Sequence, residues 1–126
     1  MSQKTEILVL DDEPIVCERL GAFLENKGMA VETFTESRKA LERLKEKTFD
    51  VIITDLKMEG PTGMDVLVQI KKLSLKSEVI IITGYGSFET LREAEVVGAF
   101  EYINKPFKMT DIYSLVKKAA KRAKKK

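Results

Sequence analysis

The chain has 126 residues, 44% of them hydrophobic and 33% charged, with a formal net charge of +2. This length and composition predict one globular domain, and the short apolar runs exclude a membrane-spanning segment. The absence of histidine excludes a histidine-based catalytic triad, most zinc sites and a phosphohistidine role for this chain, while the single cysteine excludes an internal disulfide and favours the reducing cytoplasm.

Five short apolar runs rich in β-branched residues predict strands. They lie at residues 6–10, 30–34, 51–54, 78–83 and 100–104. The first, third and fourth runs are nearly all apolar, which is typical of strands that are covered on both faces.

Stretches with apolar residues at helical spacing separate and follow these strands, and each predicts a helix. The apolar positions that mark the five helices fall within residues 15–24, 40–44, 66–73, 88–97 and 112–119. Pro14 suits the first turn of the first helix and Gly28 its end, and Gly98 ends the fourth.

Strict alternation of strands and helices at this chain length predicts an α/β fold with a doubly wound parallel sheet. We expect five strands in the order 2-1-3-4-5, a flavodoxin-like (βα)5 arrangement. Ligands of such sheets bind at the carboxyl ends of the strands, beside the switch point between strands 1 and 3.

Polar side chains collect where the predicted strands end. Asp11 and Asp12 follow strand 1, Asp55 follows strand 3, Thr83 ends strand 4 and Lys105 follows strand 5. An acid at one strand end is often only a helix cap. Because four strand ends of a parallel sheet lie on one edge and all carry polar groups, we predict a functional crevice there.

The charges in this crevice restrict its chemistry. Three carboxylates disfavour one another's ionisation, and one lysine leaves a net charge of about −2, so a divalent cation is expected to complete the site. Oxygen ligands without histidine or paired cysteine favour Mg²⁺ or Mn²⁺. A carboxylate beside such an ion can attack phosphorus to give an acyl phosphate, with a lysine and a hydroxyl holding the phosphoryl oxygens.

Four motifs in order, "VLDDEP", "VIITDLKM", "IIITGYGS" and "EYINKPF", resemble the receiver domain of two-component response regulators. The resemblance extends from about residue 5 to about residue 120, so residues 1–126 are interpreted as a single receiver domain. The stretch "ITGYGSFET…GAFEYINKPF" looks most like receivers attached to σ54-dependent enhancer-binding regulators.

The resemblance implies a metal and phosphoacceptor site. Asp55 corresponds to the phosphoacceptor and Asp12 to a direct ligand of Mg²⁺, with Asp11 acting nearby, often through water. Lys57 matches the position that supplies a backbone carbonyl to the metal. Glu13 has no role in this interpretation beyond the first turn of helix 1.

The resemblance also implies a switch. Thr83 corresponds to the switch hydroxyl, Lys105 to the phosphoryl-binding lysine, and Tyr102 to the aromatic ring that turns inward when the threonine engages phosphate. Tyr102 is also expected to be a half-buried aromatic of an edge strand, and this position is compatible with the switch role. The Lys105–Pro106 peptide bond is expected to be cis, as only a bond before proline readily is.

The implied function is a phosphorylation switch rather than an enzyme that turns over a separate substrate. A sensor histidine kinase would phosphorylate Asp55, and the surface of helix 4, strand 5 and helix 5 would change to control output or to form a homodimer. The output domain would be absent from this chain or be a separate target protein. Lys57 and Tyr85 are expected to border the path of attacking water, which predicts slow self-dephosphorylation.

Three alternatives deserve comparison. Enzymes of the haloacid-dehalogenase type also use a nucleophilic Asp, Mg²⁺, a hydroxyl and a lysine. Their nucleophile ends strand 1 and is followed two residues later by a second Asp, in a D-x-D pattern, whereas position 13 of this chain is Glu. A flavodoxin-like nucleotide-binding module needs a phosphate-cradling loop after strand 1, where this chain has "DDEP". A receiver-like module that only binds partners is disfavoured because every required side chain is present.

The basic end of the chain stands apart from the rest. Residues 117–126 carry seven basic residues and no acid, which leaves 15 basic and 20 acidic residues in positions 1–116, a net charge of −5. A solvated helix end, the start of a helical linker and a surface for nucleic acid or an acidic partner remain open. The acidic body predicts no direct nucleic-acid binding by the folded domain.

Overall fold

A computed structural model describes residues 4–55, 63–73, 76–84 and 88–124. Strands and helices alternate along the chain as the sequence predicts. They are β1 (Glu6–Leu10), α1 (Pro14–Asn26), β2 (Ala30–Phe34), α2 (Ser37–Glu46), β3 (Val51–Asp55), α3 (Gly63–Leu73), β4 (Glu78–Thr83), α4 (Phe88–Val97), β5 (Glu101–Asn104) and α5 (Met109–Ala123).

The five strands form one parallel sheet in the order β2-β1-β3-β4-β5, which confirms the predicted fold. Leu10 at the end of β1 pairs with Thr54, and Asp55 at the end of β3 pairs with Ile82. The carboxyl ends of β1, β3 and β4 therefore lie side by side, with Asp55 as the last residue of its strand rather than the first residue after it.

Alternating residues of the central strands build two separate cores, one on each face of the sheet. Ile7, Val9 and Ile53 pack on the face that α1 and α5 cover. Leu8 and Ile52 pack on the opposite face with side chains of α2 and α3. Every residue of β3 and β4 is buried, which agrees with the prediction that these strands are covered on both faces.

Backbone chemistry sets the helix boundaries. Pro14 is the first residue of α1, and Glu13 is its N-cap rather than a residue of the first turn. Gly28 and Gly98 follow α1 and α4 with φ of +86° and +122°, a conformation that glycine adopts without a steric penalty. The Lys105–Pro106 peptide bond is cis, which confirms the expectation.

The predicted basic tail begins inside α5, which continues to Ala123. Ala119, Ala120 and Ala123 are buried, and the Arg122 guanidinium lies 5.6 Å from the centroid of the Phe100 ring. The first part of the tail is therefore packed on the domain and is more than a solvated helix end. Within the described ranges, none of the helices combines the length and the hydropathy that a membrane span requires.

Candidate functional site

An open cleft of about 670 Å³ lies at the carboxyl edge of the sheet. The loops after β1, β4 and β5 and the first turns of α1 form its walls. The cleft is lined by Asp12, Glu13, Ile15, Val16, Arg19, Asp55, Gly84, Lys105, Pro106, Phe107 and Met109. The lining combines acidic groups and the cations Arg19 and Lys105 with apolar side chains.

The Lys105 ammonium lies among the carboxylates of the cleft. Its Nζ lies 2.8 Å from Oδ2 of Asp11, 2.8 Å from Oδ2 of Asp55 and 3.1 Å from Oε1 of Glu13. It donates hydrogen bonds to the carboxylates of Asp55 and Glu13. The backbone amide of Lys105 donates to the Thr83 carbonyl at 2.9 Å, which fixes the end of β5 against the end of β4.

Opposing effects act on the charge of Lys105. Burial disfavours the ammonium, but the close contacts with the carboxylates of Asp11, Asp55 and Glu13 outweigh this effect and raise the pKa of Lys105 above its ordinary value. Lys105 is therefore a permanent cation in the cleft at physiological pH.

Asp11 is fully buried, and its two carboxylate oxygens differ. Oδ1 accepts a hydrogen bond of 2.8 Å from the Glu13 backbone amide. Oδ2 lies at ion-pair distance from Lys105, yet no donor in the described part of the chain is aligned to hydrogen-bond it. Burial raises the pKa of Asp11, although Lys105 and the Glu13 amide oppose the rise. Asp11 Oδ2 is therefore a buried anionic oxygen that the Lys105 ammonium contacts by charge, and it could also serve as a ligand to a metal cation.

Four carboxylates converge beside this oxygen. One oxygen from each of Asp11, Asp12, Glu13 and Asp55 lies within 4.8 Å of the others. Asp11 and Asp55 are buried, and Asp12 and Glu13 are exposed. An all-oxygen donor set of this kind, open to solvent on one side, fits Mg²⁺ or Mn²⁺.

The two predicted switch residues lie at different depths. Thr83 is fully buried at the end of β4, where it pairs with Asn104. Tyr102, two residues earlier on β5, is 37% exposed. The structure thus brings Asp11, Asp12, Asp55 and Lys105 together with Thr83 at the neighbouring strand end, and it holds the Tyr102 ring at the surface. Lys57 and Tyr85 lie outside the described residues.

Sequence reasoning missed the place of Glu13 in this site. Its carboxylate belongs to the acidic group and contacts Lys105, 92 positions away. An acid before a proline at a helix start is usually a cap or a dipole partner, so the local pattern gave only a weak signal. The apolar wall of the cleft, including the 49% exposed Ile15, was also not anticipated.

Comparison with known proteins identifies the family of this chain. Residues 7–117 match the family model described as the response regulator receiver domain. The transcriptional regulatory protein ZraR of Escherichia coli O157:H7 is 36% identical over 114 residues, which cover 90% of this chain and 26% of that protein. The chain thus spans about a quarter of the length of the curated relatives it matches.

Solved structures agree as well. A response regulator receiver domain protein from Clostridium thermocellum is 38% identical, with a TM-score of 0.89, covering 95% of this chain and 97% of that one. The beryllofluoride-activated NtrC4 receiver domain dimer is 35% identical, with a TM-score of 0.89, covering 94% and 98%. These matches confirm the prediction of a receiver domain over the haloacid-dehalogenase alternative. The chain belongs to the response regulator receiver domain family.

Proposed function

We propose that Asp55 is the phosphoacceptor of this receiver domain and that a sensor histidine kinase is its donor. The observation that carries the proposal is the position of the Lys105 ammonium, 2.8 Å from oxygens of both Asp55 and Asp11. The Asp55 carboxylate lies in the cleft at the end of β3, with only a small part exposed for attack.

In the proposed step, an Asp55 carboxylate oxygen attacks the phosphorus of a phosphohistidine. The new P–O bond forms as the P–N bond breaks, and the bonding electron pair returns to the imidazole nitrogen of the donor, which takes up a proton from water. Since residues 1–126 contain no histidine, the donor imidazole must lie outside them. The product is an aspartyl phosphate, which is an acyl phosphate.

A bound Mg²⁺ or Mn²⁺ would be held by Asp11, Asp12, Asp55 and the Lys57 backbone carbonyl, and it would neutralise the charge of the phosphoryl oxygens. The convergence of the carboxylate oxygens of Asp11, Asp12 and Asp55 within 4.8 Å supports this ligand set. Lys105 contributes a second positive charge, because its ammonium can donate to a phosphoryl oxygen without leaving the cleft.

The switch is proposed to run from Thr83 to Tyr102. The Thr83 hydroxyl moves to the phosphoryl oxygens, and the Tyr102 ring follows inward. The surface of α4, β5 and α5 changes as a result. The exposed Val96 on α4 and the partly exposed Tyr102 on β5 support an apolar contact surface there. The NtrC4 receiver, a dimer in its beryllofluoride-activated form, supports a homodimer through this surface.

The apolar wall of the cleft supports a protein donor rather than a small one. Ile15 is 49% exposed beside Val16 and Met109, so apolar side chains border the path to Asp55. Burying such a border against the donor would orient the two proteins, since apolar contact supplies much of the binding energy at protein interfaces.

The output is proposed to lie outside this chain, in a further domain or a separate protein. ZraR, which is about three and a half times as long as this chain, is named a transcriptional regulatory protein, which supports transcription as the output. The resemblance to receivers of σ54-dependent regulators points the same way. The net charge of −5 in residues 1–116 argues against DNA contact by the receiver itself. The buried free thiol of Cys17 suits the predicted cytoplasmic location.

The test is self-phosphorylation with acetyl phosphate and Mg²⁺, followed by intact mass spectrometry. We expect one phosphoryl group on the wild type, none on Asp55→Asn and one on Asp111→Asn, an exposed acid of α5 that serves as the control. Equal labelling of the Asp55→Asn protein would overturn the proposal, as would an unlabelled wild type.

A further inference from the structure

Glu13 contacts both an acid of the site, Asp11, and its lysine, Lys105. Its backbone amide donates to Asp11 Oδ1 at 2.8 Å, and its side-chain Oε1 accepts from Lys105 Nζ at 3.1 Å. The first contact belongs to the backbone and would survive any substitution except proline. The second depends on the carboxylate alone, so the two can be separated by mutation.

Three carboxylates surround the Lys105 ammonium. An ammonium has three N–H groups. Three carboxylate oxygens lie within 3.1 Å of Nζ, and two of them, from Asp55 and Glu13, accept aligned hydrogen bonds. A phosphoryl oxygen that arrives on Asp55 therefore competes with these carboxylates for the ammonium.

Glu13 is the partner that can leave. Asp11 is fully buried and the side chain of Asp55 is 6% exposed, and both lie 2.8 Å from Nζ. The Glu13 side chain is 55% exposed and lies at 3.1 Å. Water can solvate a released Glu13 carboxylate, whereas releasing Asp11 would leave a buried charge unpaired.

We propose that Glu13 is a positioning residue that holds the Lys105 ammonium at the mouth of the cleft before phosphorylation and competes with the phosphoryl group for it. This inference rests on Asp55 being the phosphoacceptor. Glu13 touches neither phosphorus nor the attacking oxygen. It acts through Lys105, and its release is part of the change from the resting to the phosphorylated protein.

Two substitutions separate the contact from its charge. Glu13→Gln removes the charge. Glu13→Asp keeps the charge but shortens the side chain by one methylene, which withdraws the carboxylate from Lys105. The control is Glu18→Gln, which makes the same charge change at an exposed position of α1. If the contact matters, Glu13→Asp should behave like Glu13→Gln and unlike the wild type.

The first measurement is beryllofluoride affinity at saturating Mg²⁺, followed through the backbone amide signals of Thr83 and Gly84 in nuclear magnetic resonance spectra. An exposed ion pair of this kind corresponds to about a two- to fivefold change in an equilibrium constant. We expect both Glu13 variants to bind about two- to fivefold more tightly and Glu18→Gln to match the wild type. A wild-type affinity for Glu13→Asp would show that only net charge acts and would overturn the inference.

The second measurement needs no metal and no phosphoryl donor. In the resting protein, hydrogen exchange of the Lys105 ammonium with water should be several-fold faster in both Glu13 variants than in the wild type and Glu18→Gln. Equal exchange rates in all four proteins would overturn the inference. If the wild type cannot be phosphorylated at Asp55, the proposed function fails, yet this measurement still decides whether Glu13 holds Lys105.

Discussion

Replacing Lys105 with methionine is expected to destabilise the metal-free domain through Asp11. The substitution keeps most of the apolar stem but removes the cation that lies 2.8 Å from both Asp11 and Asp55. Breaking a buried ion pair by removing one partner costs about 3–5 kcal/mol of unfolding free energy. Lys105 is 16% exposed, so solvent screens part of the lost interaction. We therefore expect a loss of about 2–4 kcal/mol at pH 7.5.

The loss should depend on pH in a defined direction. Burial already raises the pKa of Asp11, and removing Lys105 takes away an interaction that opposes the rise. A carboxyl group with a raised folded-state pKa destabilises the protein at pH values at which the group is ionised. This destabilisation disappears as the pH falls through the folded-state pKa. The difference between wild type and Lys105→Met should shrink from pH 7.5 to pH 5.

Urea unfolding followed by circular dichroism measures both effects, because ΔG falls linearly with denaturant. Lys108→Met, at an exposed position after Phe107, is the matched control and should lie within about 0.5 kcal/mol of the wild type. A Lys105→Met protein as stable as this control at pH 7.5 would refute the reasoning. A loss that is the same at both pH values would refute the role assigned to Asp11.

Three further predictions concern other groups. Burial raises the pKa of Asp11, so its ionised form destabilises the metal-free protein at pH 7.5, and Asp11→Asn should raise the thermal midpoint there. The same substitution should weaken the stabilisation by added Mg²⁺, and a full wild-type response to Mg²⁺ would contradict this. Lys57→Ala and Tyr85→Ala should each shorten the lifetime of the aspartyl phosphate, and unchanged half-lives in a phosphate-release assay would refute the gating idea. Arg43 donates two hydrogen bonds to Glu32 and lowers its pKa, so Glu32→Gln should lower the urea midpoint at pH 7. The loss should shrink as the pH falls from the unfolded-state pKa of Glu32 through its lowered folded-state pKa, and a loss that stays constant as the pH falls would contradict this.

The fold and much of the site could be predicted because their signals are local. Continuous apolar runs identify β3 and β4 as buried strands, and the residue at the end of each strand needs no tertiary information to be located. Once the sheet is parallel, Asp11, Asp55 and Lys105 must lie on the same edge.

The rest depends on side-chain reach, which the linear pattern does not encode. Glu13 was predicted to be an ordinary residue of the first helical turn, but its carboxylate accepts a hydrogen bond of 3.1 Å from the Lys105 ammonium. Arg122 was assigned to a basic tail, but it packs on Phe100 and lies 3.5 Å from the Glu78 carboxylate. Each contact joins residues that are far apart in the chain, and no periodicity specifies the rotamer that makes it.

The central claim is that the phosphoryl group is carried by Asp55 and by no other acid of the cleft. Borohydride reduces an aspartyl phosphate to homoserine, so peptide mass spectrometry after phosphorylation and reduction locates the modified residue. We predict homoserine at position 55 alone, with Asp11, Asp12 and Glu13 unchanged. Homoserine at position 11 or 12, or its absence from position 55 in a protein that has taken up a phosphoryl group, would contradict this account.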